Sequence, residues 1–164
     1  MSLQVKVGNV LMGGGAPVSV QSMTTSATSD TQATAAQIAR LAEAGCDIVR
    51  VSVRDEEDAR AIRALKETSP LPIVADIHFS ARLAVLSIES GADKVRINPG
   101  NIGGEEKIKL VADCIRAHHI PVRVGANTGS VEREYLSRYG KSAEALVESA
   151  LHNVSVLERF GVQD

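Results

Sequence analysis

The chain has 164 residues, of which 44% are hydrophobic and only 2% aromatic, so one domain with an aliphatic core is expected. A formal net charge of -2 and the scarcity of aromatic side chains argue against nucleic acid as a partner, because nucleic-acid-binding proteins usually present a basic surface or a stacking platform. No apolar run reaches membrane-spanning length and the N-terminus lacks a secretory signal, so we expect a cytoplasmic protein with no membrane partner.

The first 22 residues predict a β-hairpin. The segments LQVKVGNV and PVSVQSM alternate apolar and polar residues, and MGGGA between them is typical of a flexible turn. Strand-like and helix-like segments then alternate along the chain. The strands are predicted at 47–53, 72–79, 93–99 and 121–129, and the helices at 31–45, 56–68, 80–91, 104–119 and 142–160. No linker interrupts this order, so residues 1–164 are expected to form a single domain.

Two segments of the chain repeat each other. EAGCDIVRV at 43–51 and ESGADKVRI at 89–97 each contain a helix end, a glycine, an aspartate and a strand with arginine in its middle. Repetition of a strand–helix unit predicts parallel strands joined by right-handed crossovers. A doubly wound sheet and a TIM-type (β/α)8 barrel share this element order. The repeat favours the barrel, because alternate strands of a barrel play equivalent roles in its interior.

Polar side chains share one face on four successive predicted strands. Because side chains alternate along a strand, the same face carries Arg50 with Ser52, Asp76 with His78, Arg96 with Asn98, and Arg123 with Gly125 and Asn127. The opposite face is aliphatic and is expected to pack under the helices. We expect the polar face to lie inside the barrel near its C-terminal rim, where barrel enzymes place their sites.

This polar face predicts an anionic ligand. Three arginines cannot share a buried interior without counter-charge, and Asp76 can pair with one of them, which leaves a guanidinium for phosphate oxygens. His78 adds a donor or an acid, and NPGNIGG at 98–104 adds a glycine-rich turn before a helix. Taken singly, such an arginine is as often half of a structural ion pair, so the prediction depends on the repetition over four strands.

The segments VQSMTTSATSDTQAT, CDIVRVSV, VADIHF, RINPGNIG and VRVGANTGS resemble the N-terminal barrel of the 4-hydroxy-3-methylbut-2-enyl diphosphate synthases, iron–sulfur enzymes of the non-mevalonate pathway of isoprenoid biosynthesis. The resemblance implies about the first five βα units of a (β/α)8 barrel, preceded by the hairpin. It implies an oxidoreductase that opens 2-C-methyl-D-erythritol 2,4-cyclodiphosphate with electrons passed through a 4Fe–4S cluster from a donor such as ferredoxin or flavodoxin. The substrate-binding residues that it implies are Arg50, Asp76, His78, Arg96, Asn98, Arg123 and Asn127.

The family pattern also extends beyond this chain. Members are longer and carry further barrel strands and a C-terminal domain with the cluster cysteines. Cys46 and Cys114 lie in no cluster motif, so we expect core thiols and assign no metal ligand and no catalytic residue. The expected protein is a substrate-binding portion, inactive alone and homo-oligomeric. Two alternatives stay open: a pterin-binding barrel enzyme such as dihydropteroate synthase, and a non-catalytic half-barrel for binding or assembly.

Overall fold

The computed structural model describes residues 3–127 and 129–163. The strands in that part of the chain are β1 (Val5–Val7), β2 (Val10–Met12), β3 (Gln21–Met23), β4 (Ile48–Val53), β5 (Ile73–Ile77), β6 (Lys94–Ile97) and β7 (Val122–Val124). The helices are α1 (Thr31–Glu43), α2 (Glu56–Thr68), α3 (Ala81–Glu89), α4 (Pro99–Ile102), α5 (Glu105–His118), α6 (Arg133–Tyr139) and α7 (Ala143–Arg159).

The N-terminal hairpin is shorter than predicted and turns elsewhere. β1 pairs antiparallel with β2, and the chain reverses at Gly8, whose φ of 57° lies in the left-handed region that two-residue hairpin turns need. The prediction that MGGGA is the turn and that PVSVQSM is the second hairpin strand was wrong. The glycines at 13–15 follow the hairpin, and β3 joins the other sheet.

Five parallel strands form the main sheet in the order β3-β4-β5-β6-β7, which is also their order in the sequence. A doubly wound sheet would reverse this order at a switch point. No reversal occurs across the strands described, so the predicted barrel order is confirmed. Among the described residues, β3 and β7 each have one strand neighbour.

The main core lies between the sheet and the helices. Outward-facing strand residues such as Val51, Ala75 and Val95 are fully buried under α2, α3 and α5. The opposite, inward face of the sheet is apolar at the N-terminal ends of its strands, where Val7 of the hairpin packs on Ile48 and Val74. The hairpin therefore closes one end and leaves the C-terminal ends of the strands for the polar residues.

The two repeated segments of the sequence make the same hydrogen bond at two places in the sheet. Each aspartate accepts a backbone N–H from the start of the neighbouring strand, with Asp47 bound to Val20 at 2.7 Å and Asp93 bound to Ile73 at 2.7 Å. Asp93 also pairs with Lys66 Nζ at 2.6 Å. The repeat thus includes a contact that fixes strand register in the sheet.

The long helices begin and end close to the predicted residues. α2 has the predicted bounds, and Ser80 caps α3 by accepting the N–H of Leu83 at 3.3 Å. The short helices α4 and α6 were not predicted, because neither is long enough to show a helical apolar period. None of the helices in the described part of the chain has the length and apolar character needed to cross a membrane.

Candidate anion-binding site

Asp76 lies between two guanidinium groups on the inner face of the sheet. Its Oδ1 is 3.1 Å from Arg96 Nη1 and its Oδ2 is 3.5 Å from Arg50 Nε. The strand register explains this arrangement, because Asp76 is paired with Ser52 on one side and with Arg96 on the other. Asp76 therefore bridges two of the three predicted arginines, where the sequence had suggested a partner for one.

Positive charge exceeds negative charge among the inward side chains of the strands. Arg123 lies beside Arg96 across β6 and β7, and it is exposed. Lys94 is on the same face and 7% exposed, and no salt bridge to it occurs in the described part of the chain. Burial, and after it the Arg123 guanidinium, lower the pKa of Lys94. The sequence analysis missed Lys94, although strand alternation from Arg96 would have found it.

Asn98 is placed at the end of β6 but serves first as a helix cap. Its Oδ1 accepts the N–H of Gly100 at 3.1 Å, at the start of α4. The prediction of a glycine-rich turn with free N–H groups at 98–104 was therefore wrong in part, since residues 99–102 form a helical turn and three of those N–H groups, at residues 100–102, donate to the side chain or carbonyl of Asn98. Asn98 is 2% exposed, and its Nδ2 has no hydrogen-bond partner within the described chain.

The loops that follow β5 and β7 carry the remaining predicted residues. His78 comes directly after β5, is exposed, and its ring centroid is 6.1 Å from that of Phe79. Asn127 follows β7, is exposed, and accepts the N–H of Gly129 at 3.0 Å. The structure thus joins Arg50, Asp76 and Arg96 by direct ion pairs. Arg123 lies within β7 and His78, Asn98 and Asn127 follow strand ends, and none of these four makes an ion pair in the described part of the chain.

Gly125 allows the chain after β7 to pass over Arg96. A Cβ atom on Gly125 would fall on the Arg96 guanidinium, so any larger residue would displace that group. The backbone N–H of Gly125 also donates to the carbonyl of Ile97 at 2.8 Å, which extends the pairing of β6 and β7. The segment after β7 therefore helps to set the position of Arg96.

The two cysteines do not fit an iron–sulfur cluster. Cys46 is buried in the core, and its Sγ donates to the carbonyl oxygen of Ile48 at 3.0 Å. Cys114 is half-buried on α5, and burial followed by the Glu89 carboxylate raises the pKa of its thiol, which disfavours the thiolate that clusters require. Across residues 3–127 and 129–163, no group of three or more His, Cys, Asp or Glu side chains is placed to hold a metal ion.

Comparison with protein families matches residues 2–164 to the GcpE TIM-barrel domain. Two similar proteins are both 4-hydroxy-3-methylbut-2-en-1-yl diphosphate synthases (flavodoxin). That of Wolinella succinogenes is 56% identical over 158 residues, which cover 96% of this chain and 44% of that protein. That of Thermotoga petrophila is 54% identical over 164 residues, which cover 100% of this chain and 46% of that protein. The chain therefore spans less than half the length of these relatives.

Solved structures share the fold at low sequence identity. The phospho-2-dehydro-3-deoxyheptonate aldolase of Thermotoga maritima has a TM-score of 0.66 and 14% identity, over 98% of this chain and 43% of that one. The dihydropteroate synthase of Yersinia pestis has a TM-score of 0.66 and 12% identity, over 98% of this chain and 59% of that one. At such identities the likeness shows a barrel fold alone. It gives no support to the pterin-binding alternative, while the family match favours the diphosphate synthases.

Proposed function

The chain belongs to the GcpE family of TIM-barrel domains, and from this premise we propose that it forms the substrate-binding part of a 4-hydroxy-3-methylbut-2-en-1-yl diphosphate synthase. The observation that carries the proposal is the ion-paired group of Arg50, Asp76 and Arg96, with Arg123 beside it. One carboxylate does not balance three guanidinium groups, and a diphosphate is an anion of the size and charge to do so.

The proposed substrate is the cyclic diphosphate 2-C-methyl-D-erythritol 2,4-cyclodiphosphate. Arg50 and Arg96 would bind phosphate oxygens with the N–H groups that Asp76 does not occupy, because a guanidinium has five donors in a fixed plane. Arg123 is exposed at the free side of the sheet and would add a further charge-assisted contact. His78 and Asn127, at the ends of β5 and β7, would contact the ligand from the C-terminal rim.

The role proposed for this chain is to bind and orient the diphosphate for reductive ring opening in isoprenoid biosynthesis. The names of the relatives specify flavodoxin, which we propose as the electron donor of the complete enzyme, in the cytoplasm. A 4Fe–4S cluster would supply electron transfer in that enzyme, but Cys46 and Cys114 do not fit as its ligands. No reductive step is therefore assigned to residues of this chain, and we expect it to bind substrate without turnover.

Titration calorimetry of the 164-residue chain with inorganic diphosphate and with the cyclic diphosphate tests the proposal. We expect binding that weakens as sodium chloride is added, because the contacts are between charged groups that salt screens. Inorganic sulfate should bind more weakly than diphosphate, since it offers fewer oxygens and less charge. Lack of salt-sensitive binding at millimolar diphosphate would contradict the proposal.

A further inference from the structure

Glu132 and Asn98 each bury a polar atom that has no hydrogen-bond partner in the described part of the chain. Glu132 lies directly before α6, and its Oε1 accepts from Asn153 Nδ2 at 2.9 Å, whereas its Oε2 is buried and unpaired. The unpaired atom of Asn98 is Nδ2. Glu132 therefore buries a free acceptor and Asn98 buries a free donor, so the two groups are chemically complementary.

The contacts of Gly100 show that these two side chains are neighbours. A Cβ atom on Gly100 would lie 3.0 Å from Glu132 Oε1 and 3.3 Å from Asn98 Oδ1. The same Oε1 accepts from Asn153 of α7, which is 3% exposed and whose Nδ2 also donates to the carbonyl of Ser149 at 2.8 Å. The carboxylate therefore lies beside Gly100, in the turn after β6, and is hydrogen-bonded to helix α7.

A buried carboxylate oxygen and a buried amide N–H that both stay unpaired are costly, since each has lost its hydrogen bonds to water. One buried water between Asn98 Nδ2 and Glu132 Oε2 would satisfy both atoms and keep the hydrogen bonds that Asn98 Oδ1 and Glu132 Oε1 already make. Such a bridge links the end of β6 to the end of the segment that follows β7.

This link has a consequence for Arg96. The described residues of the segment after β7, 125–127 and 129–132, begin against the Arg96 guanidinium at Gly125 and reach the turn of Asn98 and Gly100 at Glu132. Resting on the proposed function, we propose that Glu132 is a positioning residue. Its hydrogen-bonded link to Asn98 fastens this segment, and the segment in turn holds Arg96 in the orientation that binds diphosphate.

The first test is titration calorimetry of Glu132→Gln with inorganic diphosphate. Removing a negative charge near an anion site would by electrostatics alone strengthen binding. A positioning role predicts the opposite sign, a loss of about tenfold, because the glutamine amide presents a donor where acceptors are needed. Glu134→Gln makes the same charge change at an exposed residue of α6 and should not weaken binding. Equal or tighter binding by Glu132→Gln would overturn the inference.

A second pair of variants leaves the charge unchanged. Gly100→Ala places a methyl group 3.0 Å from Glu132 Oε1, so the carboxylate must shift and diphosphate binding should weaken. Gly104→Ala is the matched control, since a Cβ atom there meets nothing within 4 Å. Circular dichroism melts of all four variants separate this effect from a failure to fold. Equal diphosphate affinity in Gly100→Ala and Gly104→Ala would count against the link.

Hydrogen–deuterium exchange without ligand separates this inference from the proposed function. Amides of residues 125–127 and 129–131 should exchange faster in Glu132→Gln and Gly100→Ala than in the wild type, because the segment is no longer fastened. If the wild type binds no diphosphate but this difference is seen, the proposed function fails and the Glu132 link stands. If diphosphate binds and exchange is unchanged in both variants, the inference is wrong.

Discussion

At the scale of single residues, the site depends on one carboxylate shared by two guanidinium groups. The Asp76 side chain is 5% exposed, whereas Arg96 is 16% and Arg50 27% exposed. The buried carboxylate fixes the two arginines, and their more exposed edges keep donors for a ligand. Arg50 also directs Nε and Nη2 toward Met23 Sδ at 3.3 and 3.2 Å, a weak acceptor that a phosphate oxygen would readily replace.

Arg96→Ala should weaken diphosphate binding by roughly 1.5–3 kcal/mol, the value of a charge-assisted hydrogen bond. The matched control is Arg60→Ala, since Arg60 pairs with Glu56 at 2.7 Å on the exposed side of α2. We expect Arg60→Ala to leave the affinity for diphosphate unchanged, as measured by titration calorimetry at constant salt concentration. Equal losses in the two variants would show that Arg96 is not on the binding face.

Lys94→Met should stabilise the chain at neutral pH by about 1–3 kcal/mol, because it removes a buried charge and keeps the apolar stem. Burial and then Arg123 lower the pKa of Lys94 from 10.5, so the unfolded chain binds the proton more tightly. Wild-type stability should therefore rise between the lowered pKa and 10.5, while the penalty is complete below that window.

The measurement for Lys94 is urea unfolding of both proteins at about pH 7 and about pH 10. The advantage of Lys94→Met should shrink at the higher pH, since the folded wild-type amine, with its lowered pKa, then loses the buried charge while the unfolded chain still holds most of its proton. A difference in stability that stays constant with pH would contradict the charged, buried state assigned to Lys94.

At the scale of elements, the parallel strands are held in register by aspartates that precede them. Asp93→Ala should destabilise the chain by about 1.5–3 kcal/mol, because it removes a half-buried acceptor for the Ile73 N–H and for Lys66. Asp113→Ala is a control with equal geometry, since Asp113 also meets a lysine, Lys109, at 2.6 Å, but on an exposed helix. Chemical denaturation should show a clear loss in the first variant and little change in the second.

Most long elements were predictable because their sequence periods agree with their burial. The strands at 47–53 and 93–99 were expected with small errors in their ends, and α2 with none. The hairpin was misplaced because three glycines at 13–15 give a stronger turn signal than the single Gly8. Only the tertiary contacts show that Gly8 makes the turn, where it lies against Pro72 and Asp93.

The candidate site was predictable as a set of residues on one face but not as a set of contacts. Strand alternation gave Arg50, Asp76 and Arg96, whose direct pairing the structure shows. Glu132 could not be found this way, since it lies after β7 and comes beside Gly100 only because the chain returns over that turn. Long-range contacts of this kind leave no periodic signal in one sequence.

At the scale of the whole molecule, the sheet has open edges among the described residues. β3 and β7 each pair on one side, and a groove of about 480 Å³ runs beside β7. Helix α7 continues this surface with an exposed apolar stripe of Val147, Leu151 and Val154. Open strand edges next to apolar surface are templates for association. A second copy of the chain could cover both the open strand edges and the apolar stripe of α7.

We expect light scattering at low micromolar concentration to show an oligomer of the 17.3 kDa chain. Leu151→Lys, on the exposed stripe of α7, should shift it toward the monomer. Leu110→Lys is the control, because Leu110 is similarly exposed but lies on α5 and does not line the groove beside β7. A stable, soluble 17.3 kDa monomer of the wild-type chain would refute association through the open edges.

The sequential strand order also determines how the chain can fold as it is synthesised. Each strand from β4 to β7 pairs with the strand made just before it, so every step closes a short loop at small entropic cost. These units can therefore assemble one after another as they leave the ribosome. The hairpin is the exception, because Gly8 lies against Pro72 and Asp93. Although it is translated first, it reaches its final place only after β5 and β6 have emerged.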